Sequence, residues 1–257
     1  MRLEHLTLDL PAARTVADVS AAAGELGGRL TRSGSRVTGV RVLDDVSLAI
    51  GPGTCVGVIG LNGSGKSSLL RVIAGIYTPT SGTSRVSGRV ATLFSNQLGM
   101  NPNATGAENV RLLSLLLGLD QSGVDALIDD VATFSELEEF MQLPVRTYSA
   151  GMRTRIGFGV ATSVQPDVLL IDEVFGTGDQ SFVHKARARL EQLIARSGVV
   201  VLSSHSAELM SAYASQLVWM HRGQVRRFGP LPEVLHEYHR YIRETRQARQ
   251  GAGTRLR

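Results

Sequence analysis

The run Gly60-Leu61-Asn62-Gly63-Ser64-Gly65-Lys66-Ser67 sets glycines, a lysine and a hydroxyl at the spacing G-x-x-x-x-G-K-[ST]. Glycines let the backbone curl until successive N–H groups point inward, which is what phosphate oxygens require. A helix opening at the end of such a loop adds the positive end of its dipole. Lys66 is placed to reach the β- and γ-phosphates of a nucleotide, and the Ser67 hydroxyl, followed by Ser68, to ligate Mg²⁺. The choice of cation supports this. Of 27 basic residues only Lys66 and Lys185 are lysine, so a chain that otherwise uses arginine keeps a compact ammonium here. A glycine-rich turn that binds nothing is the alternative. The setting opposes it, because the apolar run Cys55–Ile59 precedes the loop and the amphipathic segment Ser67–Ala74 follows it.

A second set of candidates lies at Val168-Leu169-Leu170-Ile171-Asp172-Glu173, where a buried strand ends in two carboxylates. Open α/β sheets bind ligands at the carboxyl ends of their strands. Asp172 is the candidate to hold Mg²⁺ and Glu173 the candidate to polarise an attacking water. His205, just beyond the apolar run Val199–Ser203, is positioned to contact a γ-phosphate.

These groups need an α/β scaffold, and the chain supplies its pattern. Leu3–Leu10 alternates like a half-buried strand, and 11–38 reads as an inserted loop with one short helix over Val16–Leu26. Strands are expected at Val40–Ile50, Cys55–Ile59, Arg85–Phe94, Val168–Ile171 and Val199–Ser203, and a hairpin turns at Arg222-Gly223. Helices are expected over Ser67–Ala74, Thr105–Leu119, Val124–Phe134, Ser135–Phe140, Gly151–Ser163, Phe182–Arg196, Ala207–Ser215 and Pro232–Arg249. Apolar strands alternating with helices imply a parallel sheet covered on both faces.

The 257 residues are 43% apolar and 19% charged, which suits a domain with a sizeable core. No apolar stretch approaches the roughly 20 residues needed to cross a bilayer. Leu112–Leu119 is the longest, and Ser114 and Gly118 break it. No secretory pattern opens the chain, so a cytosolic protein is expected. Cys55 is the single cysteine and reads as a small buried hydrophobe. His236 and His239 share a helix face without a third ligand, and a solvated face explains them better than a metal. The arginine-rich stretch 240–257 reads as a soluble helix end, with anionic lipid headgroups as its alternative partner. Nothing supports a nucleic-acid partner.

One further segment narrows the class. Tyr148-Ser149-Ala150-Gly151-Met152 resembles the signature of ABC ATPases and lies upstream of Asp172 at the family's spacing. The resemblance implies a P-loop NTPase fold of the ABC type: a RecA-like core, an antiparallel β subdomain and a helical subdomain. It implies ATP and Mg²⁺ as cofactors and a homodimer in which Ser149 and Gly151 of one copy cap the γ-phosphate held by the other. It also identifies His205 as the switch histidine, Gly178-Asp179 as the D-loop and Gln97 as the Mg²⁺-contacting Q-loop glutamine. The ATPase domain is expected to span 1–235, with its insertion at 11–38 and its helical part at about 104–160, followed by a basic helix or tail at 236–257.

The wording Tyr148 to Arg155, Ala161-Thr162-Ser163, Leu169 to Val174, Gly178-Asp179-x-x-Phe182 and Thr105-Gly106-x-Glu108-Asn109-Val110 resembles the subfamily that exports polysaccharides. That likeness covers about residues 40–230. It implies a motor subunit on the cytoplasmic face of the inner membrane, attached peripherally to two copies of a separate permease. Cargo of the O-antigen, capsule or teichoic acid type is expected, with drug efflux as the alternative. Three departures stand out. The Q-loop is indistinct, with the register of Gln97 open by a residue or two after the strand ending near Phe94. Residues 1–76 hold no Phe, Tyr or Trp to stack on adenine, and no appended carbohydrate-binding β-sandwich is expected.

Overall fold

The computed structural model describes residues 1–11, 29–33, 36–94, 99–119, 123–172, 180–204 and 207–253. The chain divides into one unit formed by Met1–Ser87 with Val201–Arg257 and a second formed by Gly88–Val200.

In the first unit, alternation in the opening residues produces β1 (Arg2–Pro11), which buries Leu3, Leu6 and Leu8. It pairs antiparallel with β3 (Arg36–Ala49) on one side and β5 (Ser81–Arg85) on the other, and β2 (Arg29–Ser33) covers the far edge of β3. Residues 29–33 and 36–38, expected as loop, are therefore strand. Gly39 permits this, because a Cβ there would stand 2.4 Å from the Leu10 carbonyl oxygen. Arg41 pins the sheet by donating through Nε and Nη2 to both Asp9 carboxylate oxygens, at 2.8 and 3.1 Å.

The same unit holds a second sheet in which β10 (Gln224–Pro230), β9 (Gln216–His221), β4 (Thr54–Ile59) and β8 (Val199–Ser203, from residue 201 onward) lie in that order. β4 and β9 run parallel, with Val56 opposite Gln216 and Ile59 opposite Trp219. The expected hairpin is present: Arg222 and Gly223 both take positive φ, 50° and 81°, the geometry that suits the twist of the flanking strands. Packed beside these strands are α1 (Lys66–Ile73), α6 (Ala207–Tyr213) and α7 (Leu231–Gly253). Trp219 of β9 holds α7 through Tyr238 and Tyr241, at ring-centroid distances of 5.6 and 5.2 Å. The Arg226 guanidinium lies over both Trp219 and Tyr241, at 4.4 and 4.5 Å. His236 and His239 are exposed on α7.

In the second unit, β6 (Val90–Phe94) pairs in parallel with β7 (Val168–Asp172), Val90 opposite Val168 and Phe94 opposite Asp172. Around them are α2 (Gly106–Leu116), α3 (Val124–Ser135), α4 (Ala150–Ala161) and α5 (Gln180–Arg196). Val110, Leu113, Val131, Ile156 and Val160 form the helical core with the ring of Tyr148. Two expectations need correction. The strand expected over Arg85–Phe94 is two strands, because Gly88 turns the backbone at φ +94° and a Cβ there would strike Asp167 at 2.4 Å. The helix expected over Ser135–Phe140 is a single 3₁₀ turn, Glu138–Phe140, because α3 stops at Glu136 in a left-handed conformation. The short helix expected over Val16–Leu26 lies outside the described residues. No described helix is long and apolar enough to cross a membrane.

Candidate functional site

β4 ends at Ile59 and α1 starts at Lys66, so the glycine-rich loop is the connection between them. Two of its glycines are required by space. A Cβ on Gly60 would lie 2.4 Å from the Met220 carbonyl oxygen, and one on Gly65 would lie 2.8 Å from that of Val42. Gly65 is also the N-cap of α1 at φ +101°, a conformation that glycine takes without steric cost. The hairpin turn braces the loop from outside. Gly223 N–H donates to Ser64 O at 3.0 Å, and Asp44 N–H donates to Gly223 O at 2.9 Å. Thus β3, the loop and the β9–β10 turn are fastened together.

Lys66 is buried, 8% exposed, and its Nζ donates to the carbonyls of Gly60 and Leu61 at 2.9 and 3.3 Å. Its charge is therefore held inside the curl of the loop, at the N-terminus of α1. The Ser64 hydroxyl is buried beside it without a partner among the described residues. Ser67 and Ser68 occupy the first turn of α1, Ser67 half-buried and Ser68 buried. Leu61 and Asn62 form the exposed tip. A cation held in a glycine-rich loop at a helix N-terminus suits a polyanion.

In the second unit, Asp172 is the last residue of β7, 8% exposed, and its Oδ1 has no hydrogen-bond partner among the described residues. A buried carboxylate oxygen left unmatched is costly unless a donor or cation meets it. Mg²⁺ sites of this type use one or two carboxylates plus substrate phosphates rather than an all-protein cage. By donor type the Asp172 carboxylate therefore fits Mg²⁺. Glu173, Gln97, His205, Gly178 and Asp179 lie outside the described residues.

Ser149 caps α4: its Oγ accepts from Met152 N–H at 3.2 Å. Accepting there leaves the hydroxyl proton available to an external acceptor. Ser149, Ala150 and Gly151 are exposed, and a Cβ on Gly151 would meet only Ser149 Oγ, at 3.8 Å. The cap is held from beneath by Tyr148, which is buried and donates its phenol to Phe140 O at 2.5 Å. Arg153 also folds back to donate to Tyr148 O at 2.7 Å. The result is an exposed helix N-terminus tied down by these hydrogen bonds.

The segment Thr105-Gly106-x-Glu108-Asn109-Val110 acquires a physical reading. Thr105 and Glu108 form a reciprocal capping box on α2. Gly106 leaves room for the Tyr148 hydroxyl, 2.4 Å from where its Cβ would sit. Asn109 is fully buried: its Oδ1 accepts from Asn101 N–H, and its Nδ2 donates to the carbonyls of Asn101, Ala104 and Thr105. It fixes the loop 101–105, which follows the Gln97 segment in the chain. Neither Asn109 nor Glu136 was singled out as functional from sequence. The polar Asn109 inside an apolar helical run was the available signal.

A family profile described as ABC transporter matches residues 43–176. Among curated relatives, the O-antigen export system ATP-binding protein RfbB of Myxococcus xanthus is 41% identical over 84% of this chain and 49% of its own length. RfbE of Yersinia enterocolitica, with the same description, is 43% identical over 77% of this chain and 83% of its own. The teichoic acids export ATP-binding protein TagH of Enterococcus faecalis is 40% identical over 78% and 44%. The chain thus spans about half the length of RfbB and TagH. In fold it is similar to an ATP-binding subunit of an ABC transporter, with TM-score 0.70, 22% identity, and coverage of 93% of this chain and 92% of the other.

Proposed function

Since the chain belongs to the ABC transporter family, we propose that it is an ATP-hydrolysing motor subunit that powers export of a cell-surface polysaccharide of the O-antigen or teichoic acid type. The permease is a separate polypeptide, expected in two copies, and the motor sits peripherally on its cytoplasmic face. The observation that carries the ATPase reading is the loop 60–67, which curls around the buried Lys66 where bulkier residues at positions 60 and 65 would collide with backbone. The cargo reading rests on the names of the relatives.

The residues then take these roles. Backbone N–H groups of Gly60–Ser67 and the N-terminus of α1 bind the β- and γ-phosphates, and Lys66 turns from its loop carbonyls to the γ-phosphate oxygens. Ser67 and Asp172 would hold Mg²⁺, which would supply positive charge against the phosphate oxygens. Gln97 assists at the metal. Glu173 orients and polarises the attacking water, and His205 contacts the γ-phosphate. Ser149 and Gly151 act on the nucleotide of a second copy, so the working unit is a homodimer.

The purified chain should release phosphate from ATP only with Mg²⁺. Lys66→Ala should abolish nucleotide binding, and Glu173→Gln should retain binding while losing turnover. Wild-type turnover in Glu173→Gln would overturn the base assignment. For the cargo, deleting the gene should remove a surface polysaccharide that wild type restores and Glu173→Gln does not. An unchanged surface would refute that part.

A further inference from the structure

α3 ends in a Schellman arrangement: Leu137 N–H donates to Ala132 O at 3.1 Å and Glu136 N–H to Thr133 O at 3.4 Å. The left-handed residue of this motif is normally glycine, because a Cβ is sterically penalised there. Here it is Glu136, at φ 58° and ψ 44°. An unfavourable conformation at a non-glycine residue asks what its side chain does. The Glu136 carboxylate takes Arg155 Nη1 from α4 at 3.6 Å and the Lys185 ammonium from α5. Lys185 is one of only two lysines in the chain.

Around this junction the rings of Phe134, Phe158 and Phe182 meet, one from each of α3, α4 and α5, with centroids 5.3 to 6.4 Å apart. The Arg155 guanidinium lies 4.8 Å over the Phe182 ring. One helical turn along, Arg189 of α5 pairs with Asp130 of α3 and lies 4.6 Å over Phe134. The three helices therefore meet at one charged and aromatic knot. α4 begins at Ser149, the cap proposed to touch nucleotide. α5 begins at Gln180, where the segment 173–179 carrying Glu173 ends.

We propose that Glu136 is a positioning residue of the ATPase: it ties the signature helix α4 to α5, so that Ser149 and the Glu173 segment take their places together. This rests on the ATPase reading above. Glu136 acts not on nucleotide but through the start of α4, which carries Ser149, and the start of α5, which follows the Glu173 segment in the chain.

The test is Glu136→Gly, because glycine relieves the backbone conformation while removing the carboxylate. The expected result is a melting temperature equal to or above wild type, a KM for ATP within twofold, and kcat reduced about tenfold. Glu136→Gln, which keeps size and loses charge, should show the same kcat loss without the gain in stability. Phe182→Leu should act in the same direction, and Phe182→Tyr should keep kcat. A wild-type kcat in Glu136→Gly overturns the proposal. So does a melting temperature lowered by more than about 5 °C, which would make Glu136 part of the scaffold only. Absence of ATP turnover in the wild-type chain would instead refute the ATPase reading, so the two failures are distinguishable.

Discussion

Asn109 offers a perturbation whose size can be worked bond by bond. Its amide makes four hydrogen bonds at a fully buried position: one from Asn101 N–H at 2.7 Å, and three to carbonyls at 2.9 to 3.2 Å. In Asn109→Ala the carbonyls keep other donors. Ala104 O retains Val145 N–H, Thr105 O retains the residue 109 N–H, and Asn101 O retains Ala104 N–H. Only Asn101 N–H is orphaned. Asn101 is exposed, so water meets part of that need and the orphan costs about 1 kcal/mol; each of the three lost bonds costs about 0.5 kcal/mol, giving about 2.5 kcal/mol. For a chain of this size that lowers the melting temperature by about 5–10 °C, read by circular dichroism. Asn109→Asp sharpens the test. It keeps an acceptor for Asn101 N–H but turns a carboxylate toward three carbonyl oxygens. Burial and those oxygens raise its pKa above the ordinary carboxylate value of about 3.9. Its penalty is absent below that pH and grows as pH rises through the raised value. At pH 7 the aspartate variant should therefore be less stable than the alanine variant, and the gap should close on acidification. A shift under 2 °C for Asn109→Ala, or the reverse order at pH 7, would refute this account.

Mixing Lys66→Ala chains with Ser149→Arg chains should restore phosphate release that neither shows alone, because one composite site in each mixed pair carries no lesion; no recovery in chains shown to pair would count against the shared site. Discrimination between ATP and GTP should stay within about tenfold, or about 1.4 kcal/mol, since no aromatic precedes Tyr77. Competition binding with both nucleotides measures it, and a far larger ratio would show another group reading the base. His221 is held below the ordinary histidine value by desolvation first and by Arg222 and Arg226 next. The stability it contributes is complete above about pH 6.5 and declines as pH falls through its lowered value. His221→Phe should flatten the urea midpoint across that window, and an unchanged slope would be contrary to the assignment.

The phosphate loop was legible because its requirements are local. Glycines where the backbone must curl, a lysine and a hydroxyl lie within one turn of chain. Features that depend on distant partners were not. Residues 29–39 carry few large apolar side chains, so nothing in them announces a strand; β2 exists because β3 offers it an edge. Within Arg85–Phe94 the break Ser87-Gly88-Arg89 is a local hint of a turn, but Asp167, 79 residues from Gly88, shows why a glycine is needed there. Asn109 and Glu136 look like ordinary polar residues until the carbonyls and cations around them are located.

The clasp between β9 and α7 has an optical consequence. Trp219 is the only tryptophan in the chain, 3% exposed, and it is enclosed by Tyr238, Tyr241 and Arg226. All indole emission from this protein therefore originates at one address. While α7 is seated, the indole is dry and its emission lies toward the blue. Release of α7 wets it and moves the emission red, even if the rest of the chain stays folded. The molecule thus carries its own label-free gauge of whether its last helix is in place.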